Sequence, residues 1–357
     1  MKLLKETKDK ISFFERYLSI WVLLCMAAGI LIAKFMPSVQ SFLQSLEFKG
    51  QNIILTVLMW LMIYPMMVRI DFNSLKNVGR HPQGIIISTL ASWGIKPFLM
   101  FGLSTLFFHY IFSQLIPVNL ANDFVTGAVL LGTAPCTAMV FVWSSLTNGD
   151  PAQTLVQISV NDILILFLFV PLVQLLLGLK GISLPIDVLL MSLVLFVLIP
   201  LVGGFLSRYF IIKNKGKDYL ENNFIKKFDG VTTIGLLLTL IIIFTFQGDM
   251  IVKHPLYVVL IAVPLILQNV ISFSLTYFVS KVSKLPHEIA APASLIAASD
   301  FFELSVAVGI ALFGVDSPVV LASTVGVLTE VPVMLLLVRI VNNTKSSFPS
   351  LERTKLS

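Results

Sequence analysis

Six side chains in this sequence stand where their chemistry is out of place. Lys96, Asp162, Asp300, Glu303 and Glu330 each lie deep inside a long apolar stretch, and Cys136 lies in another, directly after Gly132, Thr133, Ala134 and Pro135. An ionisable group held away from water needs a partner or a task. Asp300 and Glu303 are three residues apart, so a continuous helix would put them on one face. Two carboxylates that close do not readily stay ionised together, which makes one of them a proton carrier. For Lys96 the plainest reading is an internal ion pair, with Asp162 or Glu330 as partner. Cys136 is open between two readings: a thiolate is a soft ligand, but a buried thiol is commonly inert. Cys25, in the run Leu23-Leu24-Cys25-Met26-Ala27, reads as a small hydrophobe. One thiol cannot make a four-ligand zinc site. The four histidines, His81, His109, His254 and His287, fall in loops or at stretch ends.

The elements that must position these groups are long. The chain has 357 residues, 57% hydrophobic and only 12% charged. A soluble domain carries about 25% charged residues, so the composition argues against a soluble enzyme and against nucleic-acid binding. A helix needs about 20 mostly apolar residues to cross a bilayer. Ten such stretches occur, near 19–36, 52–70, 83–108, 124–146, 154–178, 186–210, 230–247, 256–280, 289–313 and 317–341. They are continuously apolar rather than alternating, so helices are expected and barrel strands are not. With the N-terminus inside, the inner connections and tails hold twenty Lys and Arg and the outer ones four. That asymmetry predicts cytoplasmic termini. Residues 1–18 read as a cytoplasmic tail, too polar for a signal-peptide start, and 342–357 as a second tail. The basic segment 208–227 is read as the positive-inside signal of a loop rather than a docking face for a soluble ATPase. No phosphate-binding Gly-x4-Gly-Lys-Ser/Thr loop occurs, so the chain is not itself an ATP-driven pump.

Ten stretches divide into 19–178 and 179–341, five each. An odd number inserts the second half upside down relative to the first, which predicts an inverted repeat. An offset of 167 places Pro97 on Pro264, Asp150-Pro151 on Ser317-Pro318 and Cys136 on Glu303. With one residue of slip, Asn161-Asp162 falls on Thr329-Glu330. The fourth and ninth stretches carry helix-breaking composition at mid-depth: Gly132 and Pro135 in one, Ser299 and Asp300 in the other. The expectation is an all-α polytopic membrane protein, ten transmembrane helices in two inverted five-helix repeats, with helices 4 and 9 broken.

The string at 132–144, Gly-Thr-Ala-Pro-Cys-Thr-Ala-Met-Val-Phe-Val-Trp-Ser, closely resembles the fourth span of the arsenite efflux permeases, the arsenical-resistance branch of the bile acid/arsenite/riboflavin transporter superfamily. Further matches are Ile95-Lys96-Pro97-Phe98, Asn161-Asp162, Phe301-Phe302-Glu303-Leu304 and Glu330-Val331-Pro332. The resemblance runs over nearly the whole chain. It implies that the broken helices 4 and 9 cross. It implies a secondary transporter, not an enzyme, that exports arsenite, and in some members of the family antimonite, in exchange for protons across the inner membrane of a prokaryotic cell. Cys136 then meets As(III) as substrate rather than structural metal, with Thr133 and Thr137 beside it. Glu303 and Asp300 would couple protons, supported by Lys96, Asn161, Asp162 and Glu330. No cofactor is implied. In the family the residue three before the glutamate is Asn; here it is Asp300, which leaves open which acid carries the proton. The competing function is a sodium-coupled organic-anion importer of the same superfamily, which would not need Cys136.

Overall fold

The computed structural model describes residues 18–48, 51–70, 82–136 and 139–349. The first 17 residues, Thr137 and residues 350–357 lie outside the described residues. The chain is a bundle of α-helices, with one two-residue antiparallel ladder pairing Glu47–Phe48 with Gln51–Asn52. The helices are α1 (Leu18–Phe35), α2 (Pro37–Ser45), α3 (Ile53–Arg69), α4 (Pro82–Ile111), α5 (Val118–Thr133), α6 (Val140–Leu146) and α7 (Pro151–Gly178). They continue as α8 (Ile186–Lys215), α9 (Lys217–Lys253), α10 (Pro255–Val282), α11 (His287–Ala298), α12 (Phe302–Phe313) and α13 (Pro318–Asn343). Among the described residues six of them, α4, α7, α8, α9, α10 and α13, are long and apolar enough to cross a membrane, and α1 with α2, bent by 97° at their junction, passes as a seventh when taken together. Large apolar side chains such as Phe167 and Phe278 point outward, as a lipid-facing surface requires. The molecule is therefore an all-α polytopic membrane protein.

Local sequence explains the helix starts. Asp150 caps α7 by accepting from the Gln153 backbone N–H at 2.8 Å, with Pro151 in the first turn. Ser317 caps α13 from the Val319 N–H, followed by Pro318. These two caps lie 167 residues apart, as the repeat alignment places them. In α4, Pro97 has no N–H to give, and the helix widens into a π-turn over Leu90–Ile95, so that the Lys96 N–H reaches back to Ala91 O.

Two departures from expectation concern connections. The basic segment 208–227 is not a loop: α8 runs to Lys215 and α9 starts at Lys217, joined through Gly216 at φ +84°. Only glycine takes that backbone without strain, so one residue suffices for the turn. The first tail residues after 341 are also ordered. The Phe348 ring packs at a tilt against Tyr277, and the His287 backbone N–H donates to Pro349 O at 3.0 Å.

Packing divides the helices into two layers. Helices α1, α3, α8 and α9 pack on one another, and α4, α5, α7, α10, α11, α12 and α13 form the other group. Each layer takes helices from both halves of the chain. Small residues bring the backbones close: a Cβ on Gly127 of α5 would lie 2.3 Å from Val319 O of α13, and one on Gly326 of α13 would lie 2.3 Å from Leu131. Gly127→Ala is therefore expected to cost about 1–3 kcal/mol through overpacking, seen as a lower thermal midpoint of the purified protein. Gly102→Ala, with nothing within 4 Å, should leave it unchanged or raise it. Equal midpoints for both variants would mean that α5 and α13 do not approach this closely.

Candidate functional site

The second layer contains two interrupted helices. α5 ends at Thr133 and its continuation α6 begins at Val140; α11 ends at Ala298 and α12 begins at Phe302. Each break exposes helix-end carbonyls and N–H groups that have no partner inside their own helix. The two breaks satisfy each other. Their extended segments meet antiparallel, Pro135 opposite Asp300. The Cys136 N–H donates to Ser299 O at 3.2 Å, and the Phe301 N–H donates to Ala134 O at 2.9 Å.

This pair of hydrogen bonds has local two-fold character, relating 134 to 299 and 136 to 301. The local offset is thus 165, not 167, and Cys136 corresponds to Phe301 rather than to Glu303. The slip arises before the breaks: Pro97 lies 38 residues ahead of Pro135, but Pro264 lies 36 ahead of Asp300, so an alignment anchored on the flanking prolines is two residues out at the crossing.

The charged groups gather on one strand of the crossing. Lys96, wholly buried, places Nζ 2.7 Å from Asp300 Oδ1 and 2.5 Å from Ser299 O. Lys96 is therefore paired, but with Asp300 and not with Asp162 or Glu330. The unwound strand carries the Asp300 carboxylate across to α4. Glu330, on α13, instead accepts from the Ser299 hydroxyl and, at 3.1 Å, from the Asp300 N–H. Asn269 of α10 donates to Ala298 O at 2.9 Å and to Asp300 Oδ2 at 3.0 Å. A cation at the carbonyl end of α11 is also favoured by the helix dipole.

The same unwinding corrects the helical-face reading of Asp300 and Glu303. Ser299 and Phe301 are outside helical geometry, so the two acids do not share a face. Both of Asp300's oxygens are engaged, whereas Glu303, in the first turn of α12 and 4% exposed, has Oε2 without a hydrogen-bond partner among the described residues. Cys136 is buried and unpaired in any disulfide. Around its thiol stand the Ser299 side chain and the Met139 backbone, with the carboxylates of Glu330 and Glu303 near enough for their charges to reach it. Thiol, Glu303 and the ion pair are therefore brought to one place.

The remaining candidates are arranged differently. The Thr133 hydroxyl donates to Val129 O at 2.6 Å, turned into its own helix. Asn161 accepts from Trp93 Nε1 at 2.9 Å, and Asp162 is buried beside it on α7. Ser299, read from the sequence only as a helix breaker, and Asn269, not singled out at all, are also residues of the site. The uncharged pair Gln268-Asn269 in mid-stretch was the available signal for the second.

A thiol, an open carboxylate and an internal ion pair at a crossing of two broken helices, inside an apolar bundle, define a polytopic membrane transporter. Residues 56–254 match the model of the Sodium Bile acid symporter family. The chain is 55% identical to Arsenical-resistance protein Acr3 of Alkaliphilus metalliredigens, covering 96% of each chain. It is 32% identical to Arsenical-resistance protein Acr3 of Corynebacterium glutamicum, over 92% of this chain and 89% of that one, and 40% identical to an uncharacterized transporter of Synechocystis, over 95% and 91%. The chain belongs to the Sodium Bile acid symporter family, in its arsenical-resistance branch.

Removing one partner of a buried ion pair leaves an uncompensated charge, at a cost of about 3–5 kcal/mol. Lys96→Met should therefore lower the thermal midpoint sharply, and adding Asp300→Asn should recover most of the loss. A double variant as unstable as Lys96→Met alone would show that Lys96 contributes by packing, not by its charge.

Proposed function

We propose that the chain exports arsenite from the cytoplasm in exchange for protons, carries antimonite by the same chemistry, and confers arsenic resistance. The single observation that carries this reading is the placement of Cys136: a lone buried thiol at the gap between two broken helices, beside Glu303. Two of the relatives are named for arsenical resistance. Trivalent arsenic is thiophilic, and one soft ligand gives a reversible hold, where two or three would retain the metalloid. We place Thr133 and Thr137 at the edge of that substrate site.

Glu303 serves as the principal proton carrier, because its free oxygen is available while Asp300 is held by Lys96 and Asn269. Asp300 tunes the carrier through the crossing strand, with Glu330, Asn161 and Asp162 as supporting polar groups. Protonation of Glu303 from outside changes the charge beside the arsenic-bearing thiol, which is the reciprocal linkage an exchanger needs. Arsenite at neutral pH is mostly the uncharged trihydroxide, so one-for-one exchange moves one charge. A potential of roughly 150 mV then supplies about 3.5 kcal/mol, enough for an outward gradient of a few hundred-fold. This drive needs neither ATPase partner nor cofactor. The protein works as a multi-pass protein of the cell membrane, ten spans in two inverted halves, with both termini cytoplasmic. Sodium-coupled import of an organic anion is not favoured: the cation engaged by Ser299 O and Asp300 is the protein's own ammonium.

Everted membrane vesicles test the reading. Arsenite uptake should follow an imposed proton gradient and ignore Na⁺. Cys136→Ser should abolish it with normal membrane insertion, since serine keeps the size and loses the soft ligand, and Cys25→Ser should be silent. Full transport by Cys136→Ser would remove the thiol from the mechanism.

The acids make a separate test. Glu303→Gln should retain Cys136-dependent arsenite binding but lose proton-driven uptake. Asp300→Asn should be milder. A fully coupled Glu303→Gln beside a dead Asp300→Asn would reverse the two roles.

A further inference from the structure

The first turns of α7 carry a feature that the crossing does not use. Gln153, Gln157 and Asn161 recur every fourth residue, so they line one face of the helix over about 12 Å. All three are at least 94% buried. Yet Gln153 Oε1, both amide atoms of Gln157 and Asn161 Nδ2 have no hydrogen-bond partner among the described residues. Ser92 Oγ on α4 is in the same condition. Buried polar groups are nearly always satisfied, and those that are not call for a reason.

The row faces α4 and runs toward the crossing. At its middle, a Cβ on Gly84 would sit 3.6 Å from Gln157 Nε2 and 2.4 Å from Ile289 of α11, so α4, α7 and α11 converge there. At its end away from the cap, Asn161 is held by Trp93, three residues before Lys96 on α4. Between Gln157 and Asn161, Ile158 packs with Val140 and Ile296, which flank the two breaks. Residues 163–170 on α7 are uniformly apolar, Ile-Leu-Ile-Leu-Phe-Leu-Phe-Val, and the one amide further on, Gln174, is satisfied by Leu184 O at 2.7 Å. The unsatisfied amides thus occupy only the half of α7 that begins at its capped end.

We infer that the Gln153–Gln157–Asn161 row, with Ser92 opposite, is the polar track by which a small neutral polyhydroxylated solute moves between the first turns of α4 and α7 and Cys136. Side-chain amides carry no net charge and offer both donors and acceptors. That matches a solute whose hydroxyls also donate and accept, and gives no compensation to an anion or a metal cation. The inference rests on the arsenite reading, whose trihydroxide has these properties, and adds the residues that select for it. In the closed arrangement described here the unsatisfied amide atoms are the groups that the passing solute engages.

Gln157→Met removes the amide at nearly constant volume. If the amide serves solute passage, the variant should raise the KM for arsenite in everted vesicles about tenfold or more, while its thermal midpoint stays equal or rises, because two unsatisfied polar atoms have gone. Gln157→Asn, which keeps the amide, should retain more transport than Gln157→Met. Unchanged arsenite KM in Gln157→Met overturns the inference, as does loss of insertion or a lowered midpoint in both variants, which would mark a structural role. A second measurement does not depend on the solute. In a Cys25→Ser/Cys136→Ser background, Gln157→Cys should react with the small neutral reagent methyl methanethiosulfonate in membranes; no reaction also overturns the track. Wild-type protein that moves no arsenite while Gln157→Cys still reacts would sink the arsenite reading and leave the hydrated track standing.

Discussion

A broken helix inside hydrocarbon is tolerable only if something answers its loose ends. Each break in this chain strands N–H and C=O groups that water cannot reach, and each unsatisfied group there costs several kcal/mol. The two breaks are solved together. Ala134 and Cys136 exchange hydrogen bonds with Phe301 and Ser299 across a two-residue antiparallel contact. Much else follows from that requirement. The breaks must lie at one depth, so α5 and α11 must end opposite each other. Helices α5 and α13 must approach closely enough to hold them there, which is where Gly127 and Gly326 are spent. Lys96 must reach in to neutralise the carboxylate that the unwound strand exposes.

The site chemistry grows out of this backbone arrangement. Extended residues at 299–301 turn Asp300 one way, toward Lys96 and Asn269, and leave Glu303 at the start of the next helix with a free oxygen. Two acids that a regular helix would have made equivalent are given different surroundings. One becomes part of the scaffold and the other stays available. Cys136 holds its place through its backbone N–H, and its thiol lies among the Ser299 side chain and the Met139 backbone.

Much of this was legible in the sequence, for identifiable reasons. Apolar length gave the helices, because backbone satisfaction in a bilayer leaves few alternatives. Gly132, Pro135, Ser299 and Asp300 marked the breaks, because proline and residues that bond their own backbone disfavour continuous helix. Asp150 and Ser317 announced helix starts. What remained hidden depended on three-dimensional closeness. The partner of Lys96 could not be read, since Asp300 comes within reach only after the strand unwinds. Cys136 was aligned with Glu303 because the anchoring prolines lie far from the breaks, and the stretch between Pro97 and the first break is two residues longer than its counterpart after Pro264. Helical spacing misled for Asp300 and Glu303 because it presumes a helix between them. The joint at Gly216 was hidden by its charge, since Lys213 to Lys217 reads as a solvated loop whether or not helices run up to it.

The backbone of the crossing is nearly indifferent to being turned half a revolution, but its side chains are not. Where Asp300 offers an N–H to Glu330, its opposite number Pro135 has none to offer. The ammonium, the paired carboxylate and the Asn269 amide likewise attach to one strand alone. A scaffold with twofold balance would have equal reason to open to either side of the membrane. Loading one strand removes that degeneracy: the two halves of the chain enter the crossing with unequal charge and unequal hydrogen bonding, whatever symmetry the backbone keeps.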